Sequence, residues 1–423
     1  MKTKQLLIYS IAIIGLLLTF IFGCEKDIDF EGGRGTQDDP YLIATPEQLG
    51  GVRHNLNKHF RQIADIDLSG YSSGKGWNPI GADYRNPFTG TFNGNGYKIT
   101  NLTINLPKLA GLFGYTNGST IKNVSLLNIS ITGMEHIGGL VGENHGNIIN
   151  GYATGYVSGE GWSIGGLVGY NYEGGDIKNS YATVDVSGDS YLGGLAGVNQ
   201  GDITNSYAIG DVSGGSYLGG LVGVNQGDIT NSYATGDVSG MERIGGLVGE
   251  NYGNIINGYA TGHVSGEGWS IGGVVGYNIE GGDIKNSYAT GDVSGYSYSG
   301  GLVGGNVGDI TNSYATGDVS GNEYVGGFVG RSMGNIKNCY STGVVSGEHN
   351  VGGFVGENMD WDIKGNIEYS YYDKETTGQD DTGKGIPKTT AEMMQQSTFE
   401  TWDFTNIWRI NEGNSYPYLR WQE

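Results

Sequence analysis

The chain has 423 residues, of which 81 are glycine, 29 tyrosine and only 7 proline, and 44 acidic against 23 basic side chains leave a net charge of −21. That charge opposes binding to nucleic acid and to anionic lipid headgroups, and the lack of a Gly-X-Y period excludes collagen. Glycine at this density, with Ile, Val and Tyr held in register around it, marks turns and close approaches between short strands.

At the N-terminus, Lys2 and Lys4 precede an apolar run from Leu6 to Phe22 that ends Ile21-Phe22-Gly23-Cys24. Basic, apolar and small residues in that order make residues 1–23 a secretory signal. A cysteine directly after a small residue resembles a bacterial lipobox, which implies cleavage before Cys24, diacylglycerol on its sulfur and a lipid-anchored protein of the cell envelope. The competing reading is a transmembrane anchor, for which the run is at the lower limit of length. Residues 24–35 read as an acidic, Gly-rich tether. The other cysteine, Cys339, replaces the serine of a repeated Asn-Ser-Tyr, so no disulfide framework is available.

Residues 36–108 read as an N-terminal cap and the first irregular coils. Tyr41-Leu42-Ile43-Ala44 is strand-like, and Thr45-Pro46-Glu47-Gln48 carries an N-cap, a proline at the first helical position and a glutamine three after the cap, which predicts a short helix to about Asn57. Ile63–Leu68 and Gly96–Ile104 alternate like strands.

From 109 to 372 the chain repeats. Gly-Gly hexamers begin at Ile137, Ile164, Leu192, Leu218, Ile244, Ile271, Ser299, Val325 and Val351, 26 to 28 residues apart, after a degenerate copy at Leu109. Fixed periods in this range mean a stacked architecture in which each unit buries its apolar face only against its neighbours. Within one unit three apolar stretches (Leu218–Val222, Ile229–Ala234 and Val238) are separated by glycine turns, and none has a 3.6-residue period. The pattern predicts an all-β, right-handed parallel β-helix of about 27 residues per coil, with coils ~4.8 Å apart. Asparagine recurs in two columns, from Asn144 to Asn358 (Ser332 excepted) and from Asn150 to Asn338, and tyrosine in a third, from Tyr152 to Tyr340. Stacked amides and rings of this kind bond and pack from coil to coil. A row present in every coil supports the coil, so purpose is to be sought where the pattern breaks.

A second period of 107 residues lies on top, relating Ile137 to Ile244 and Leu218 to Val325, and a four-coil block has been duplicated. Its irregularities repeat with it: Glu160-Gly161-Trp162-Ser163 matches Glu267-Gly268-Trp269-Ser270. Such insertions map to binding faces, and Trp162 and Trp269, ~19 Å apart, are the expected ligand contacts. Residues 373–423 read as a C-terminal cap, with a capping box at Thr389–Glu392, a short helix to about Ser397, and an aromatic cluster (Trp402, Phe404, Trp408, Tyr416, Tyr418, Trp421) to cover the open end of the stack.

The run Gly219-Gly220-Leu221-Val222-Gly223, followed by Asn231-Ser232-Tyr233-Ala234-Thr235-Gly236-Asp237-Val238-Ser239-Gly240, resembles the GLUG-motif repeat of bacterial surface adhesins, filamentous-haemagglutinin-like proteins and the non-catalytic part of IgA-cleaving metallopeptidases. Asp65-Ile66-Asp67-Leu68, Trp77-Asn78-Pro79-Ile80-Gly81 and Phe88–Gly94 resemble the usual lead-in to such repeats, and Trp402-Asp403-Phe404 with Tyr416-Pro417-Tyr418-Leu419 the usual exit. The resemblance, over about residues 36–422, implies surface exposure and attachment, with no shared ligand.

Catalysis is not expected. His54, His59, His136, His145, His263 and His349 never take the His-Glu-x-x-His spacing of a zinc peptidase. The Gly-Gly-x-x-Gly runs lack the Lys-Ser/Thr of a phosphate loop. The main alternative is a polysaccharide lyase or glycoside hydrolase. Glu143, Glu250 and Glu357 share one position but stand ~19 Å apart, beyond the roughly 5–9.5 Å of a glycosidase pair. Asp rows (Asp185, Asp211, Asp237, Asp292 and Asp318 form one) could be relieved by structural calcium; otherwise no cofactor or metal is expected. The threonine row is too broken for an ice-binding surface. The expected protein is a monomeric surface lipoprotein binding host or bacterial protein or glycan.

Overall fold

The computed structural model describes residues 29–359, 365–382 and 384–423. The signal segment, Cys24 and the start of the tether lie outside the described residues. Among the described residues no helix is long and apolar enough to cross a membrane. The chain winds as a parallel β-solenoid of roughly 26 residues per turn. One column of in-register partners runs from Tyr41 through Phe60, Phe92, Ile121, Ile148, Ile177 and Ile203 to Ile336 and Ile367.

One coil shows why. Its strands are Glu242–Gly245, Val248–Asn251, Ile255–Ile256, Tyr259–Ala260 and Val264–Gly266. Ile244, Leu247, Val248, Ile255, Ala260 and Val264 point inward and are fully buried, each of the larger ones contributing roughly 1.5–3 kcal/mol. The expected stretch from Leu218 to Val222 is broken in two, because Gly219 and Gly220 turn so tightly that an added Cβ would lie 2.0 Å from Val222 O and 2.2 Å from Gly246 O. Ile229–Ala234 is likewise split, at Asn231, whose φ of 50° is left-handed. All eight asparagines from Asn150 to Asn338 share that conformation, which Asn tolerates better than most residues because its short side chain bonds locally.

The other asparagine column is interior. Asn225 Nδ2 donates to Gly227 O at 2.7 Å and to Asn251 Oδ1 at 2.9 Å, and the pattern repeats from Asn144 onward. Ser332 keeps it going, accepting from Asn306 at 3.2 Å. A serine column absent from the sequence reading runs beside it: Ser206 Oγ accepts from Ser180 N at 3.1 Å and donates to Thr204 O at 2.9 Å. Cys339 occupies this column, with Sγ 3.2 Å from Lys337 O, and burial pushes its thiol well up. The tyrosine column stacks at 4.2–5.0 Å between ring centres from Tyr152 to Tyr340.

At the N-terminal end, α1 (Pro46–Gly51) has the expected capping box from Thr45 and Gln48 but is shorter than predicted. Its chain tightens into a 3₁₀ turn at Val52–His54 after two glycines. Ile63, Ala64 and Asp65 are not in a strand, and the stretch from Gly96 to Ile104 is broken at Asn101, with φ of 60°. At the other end, α2 (Lys374–Thr377) and the strand Ile386–Lys388, which pairs with Tyr371–Asp373, cross the last coil. Asp381 accepts there from Gly353 N at 3.0 Å and Lys384 donates to Gly356 O. The aromatic cluster therefore lies elsewhere than over the open end. After α3 (Thr390–Met393), again capped as expected but shorter, it runs back along the tyrosine flank. Tyr340 donates to Pro417 O at 2.6 Å, Trp402 and Trp408 pack on Tyr340, and Trp421 donates to Asn286 O at 3.0 Å with its ring against Tyr259 and Tyr288.

Candidate ligand-binding face

Each coil turns a left-handed corner just before its hexamer, at His136, Ser163, Tyr191, Tyr217, Arg243, Ser270, Tyr298, Tyr324 and Asn350. The residue here changes from coil to coil, and so does its neighbour six after the hexamer begins: Glu143, Tyr170, Val198, Val224, Glu250, Tyr277, Gly305, Arg331 and Glu357. The two columns form one edge of the solenoid, where the repeat departs from its own pattern.

Aromatic rings occupy most of that edge. Tyr115, His145, Tyr172 and Tyr170 stack in sequence at 4.9, 4.1 and 4.3 Å, and His136 meets Tyr170 at 5.2 Å and Trp162 at 4.7 Å. Tyr191 meets Tyr217 at 4.9 Å; further on, Tyr298 meets Tyr324 at 5.2 Å. Charged groups are set among the rings as pairs. Glu143 lies 2.9 Å from His136 Nδ1 and 3.1 Å from His145 Nε2. Burial opposes its ionisation, but the bonds from the two histidines outweigh that and hold the carboxyl down at about 2. One duplication further on, Arg243 replaces His136 and bonds Glu250, while its guanidinium lies 4.9 Å from both the Tyr217 and Trp269 ring centres and 5.3 Å from that of Tyr277. At Glu250 burial prevails over Arg243 and Tyr252, and the carboxyl is pushed up.

Both tryptophans expected as contacts lie on this edge, but they are not equivalent. Trp162 is exposed, whereas Trp269 is half-buried beneath Arg243. Between Trp162 and Arg243 the surface sinks into a groove of about 320 Å³ lined by Trp162, Tyr170, Tyr191, Val198, Tyr217, Val224, Gln226, Arg243, Glu250 and Tyr252. Of these, only Trp162 was expected as a contact. The others sit at columns that look like noise until coils 107 residues apart are compared.

The Asp row has a structural use. Asp185 accepts from Asp211 N at 3.1 Å, Asp211 from Asp237 N at 2.9 Å and Asp237 from His263 N at 2.8 Å, so each carboxylate ties down the backbone of the next coil.

The architecture is that of a β-solenoid repeat protein, and the family model described as "The GLUG motif" matches seven of its repeats, residues 160–187, 188–213, 214–239, 242–265, 267–294, 295–320 and 321–346. Halomucin of Haloquadratum walsbyi is 40% identical over 183 residues, 39% of this chain and 2% of that protein. A "Putative Gly-rich membrane protein" of Evansella cellulosilytica is 43% identical over 131 residues, 29% of this chain and 15% of that protein. The chain thus spans a small fraction of the length of these curated relatives. Among solved structures, a "putative immunoglobulin A1 protease from Bacteroides ovatus" is 22% identical, with 93% of this chain and 96% of that one covered and a TM-score of 0.39. Another, "IgA1 Protease", is 17% identical over 78% of this chain and 21% of that one, with a TM-score of 0.38.

Proposed function

We propose that the protein is a surface-associated, non-catalytic attachment scaffold, anchored through lipid on Cys24 and binding a host or bacterial surface protein or glycan through its variable edge. The observation that carries this reading is the edge itself. The columns that build the core and the tyrosine flank repeat and have a matching partner in the coil above or below, whereas here rings and ion pairs change from coil to coil beside an open groove. The names of the curated relatives, Halomucin and a "Putative Gly-rich membrane protein", agree with a place at the cell surface. Against the alternative of a polysaccharide lyase or hydrolase, Glu143, Glu250 and Glu357 stand four coils apart and are each paired with a basic side chain, which suits neither member of a catalytic carboxylate couple.

The test is attachment of cells or beads bearing the lipidated chain to host and bacterial surfaces. Replacing Trp162 and Trp269 together is expected to reduce attachment, and Cys24→Ser to abolish lipid labelling and membrane retention. Release of reducing or unsaturated sugar, lost on one Asp substitution, would overturn the non-catalytic reading. Calcium, if it relieves the Asp rows, would raise the thermal midpoint and a chelator lower it; an unchanged midpoint rejects that role.

A further inference from the structure

Among the places where the two copies of the duplicated block differ on the variable edge, one changes what fills the surface. In the second copy Arg331 lies over Tyr298 and Tyr324, 5.1 and 5.7 Å from their ring centres. It donates to Tyr298 Oη at 2.8 Å and sits 3.2 Å from Glu357. The Tyr277 ring leans over Gly305, where an added Cβ would come within 2.6 Å of it. In the first copy the matching positions are Val224 and Val198, while Tyr191, Tyr217 and Glu250 match Tyr298, Tyr324 and Glu357. Tyr170, the counterpart of Tyr277, stacks instead on Tyr172 at 4.3 Å. The space that the second copy fills with its own Arg331 and Tyr277 is therefore open in the first.

We propose that this groove, floored by Val198 and Val224 and walled by Trp162, Tyr191 and Tyr217, binds a short neutral glycan. The proposal rests on the attachment role above and names its ligand class. A cation is disfavoured because Glu250 is already bonded to Arg243, whose fixed charge closes that end of the groove. An anion would meet Glu250 and a chain of net charge −21. What fits is a neutral group with apolar faces and a polar circumference. The two valines, 6% and 7% exposed, and the rings take the C–H faces of a sugar. The rim offers the hydroxyls of Tyr191 and Tyr217 and the amide nitrogen of Gln226, whose Oε1 already accepts from Gln200 at 2.8 Å, while Tyr252 is bonded to Glu250. A hydroxyl-bearing chain satisfies such groups along its length, whereas an apolar peptide side chain would leave them unpaired. The volume of about 320 Å³ is at the small end of the roughly 300–1,000 Å³ of ligand sites, which limits the bound portion to a short oligosaccharide.

The second copy supplies the test. Val224→Arg copies its plug into the open groove at a position that accepts arginine one duplication away. The full chain is screened on an array of neutral and acidic glycans and a parallel array of neutral, proline-rich peptides, and the strongest neutral glycan is then titrated calorimetrically. Neutral glycans are expected to bind, and Val224→Arg to weaken them at least tenfold with the thermal midpoint unchanged. Should that variant fold poorly, Tyr191→Ala is read on the same array with the same expected loss. Absence of neutral-glycan binding, binding indifferent to both substitutions, or capture of peptides instead overturns the proposal. Surface attachment measured in parallel separates the two readings: attachment without glycan binding sinks only the ligand class, and loss of both sinks the attachment role as well.

Discussion

The solenoid carries two aromatic faces built largely from tyrosine, and they have opposite characters. On the flank, one tyrosine per coil stacks face to face, with interplanar angles of 2–14° from Tyr181 to Tyr340. The C-terminal segment then covers the later part of that column. On the variable edge, Tyr191 and Tyr217 meet at 60°, share their surroundings with Arg243 and Trp162, and border open space. The same side chain is a structural strut where it recurs through the whole stack and a candidate contact where its column changes within a coil or two. Periodicity, rather than residue type, separates the two roles.

Raising the pH should break the flank first and with the largest effect. Burial, with neighbouring tyrosines adding to it, pushes the Tyr259 phenol up to about 12, and Tyr207, Tyr288, Tyr314 and Tyr340 are shifted the same way. Their protonated form is favoured by folding, so this contribution is intact below about 10, the value in the unfolded chain, and is lost as pH rises towards 12 and beyond. Thermal midpoints measured between pH 8 and 12, with tyrosinate absorbance followed in parallel, should fall steeply above 10. A flat profile would mean that the column is not packed as described. Next in size, Trp408→Ala removes a fully buried ring that touches Tyr314, Tyr340 and Trp402, and should cost ~3–5 kcal/mol by denaturant titration. Asn225→Ala should follow at ~2–3 kcal/mol, since it leaves Asn199 Nδ2 and Asn251 Oδ1 each short of a buried partner.

Much of this was legible in the sequence, for a physical reason. A residue that recurs in every coil has the same neighbours in every coil, so the hexamers and the asparagine and tyrosine columns announce the parallel stack and its register. Local chemistry was legible too, as the capping boxes at Thr45 and Thr389 show, although both helices stop earlier than their caps suggest. What could not be read depends on contacts distant along the chain. The bond between Tyr340 and Pro417 spans 77 residues, and nothing near either one announces that the C-terminal cluster lies along the flank. The groove was hidden differently. Trp162 stood out as a rare residue in an insertion, whereas Val198 and Val224 look like ordinary apolar positions, and only comparison with Gly305 and Arg331 reveals them as a vacancy. That Trp269 is half-buried where Trp162 is exposed was hidden too, because the arginine that covers it, Arg243, sits in a column where its own counterpart is His136.

The smallest effect sharpens the comparison most. Tyr233 and Tyr191 are both half-buried tyrosines of the same block. Tyr233 stacks on both sides, 4.8 Å from Tyr207 and 4.6 Å from Tyr259, whereas Tyr191 meets one aromatic neighbour, Tyr217, edge-on. At roughly 0.5–1.5 kcal/mol for an aromatic pair beyond area burial, Tyr233→Ala should cost ~2 kcal/mol and Tyr191→Ala ~1 kcal/mol or less. Ligand binding should reverse that order, being unchanged by Tyr233→Ala and lost on Tyr191→Ala. Denaturation and calorimetric titration of the same two proteins provide both readings. Equal stability losses, or binding equally sensitive to both, would remove the distinction between a tyrosine that holds the stack and one that faces a partner. The opposite ordering of the two measurements is what a face released from structural duty must show, because a ring that meets one neighbour edge-on gives up less when it is cut away than a ring stacked on both sides.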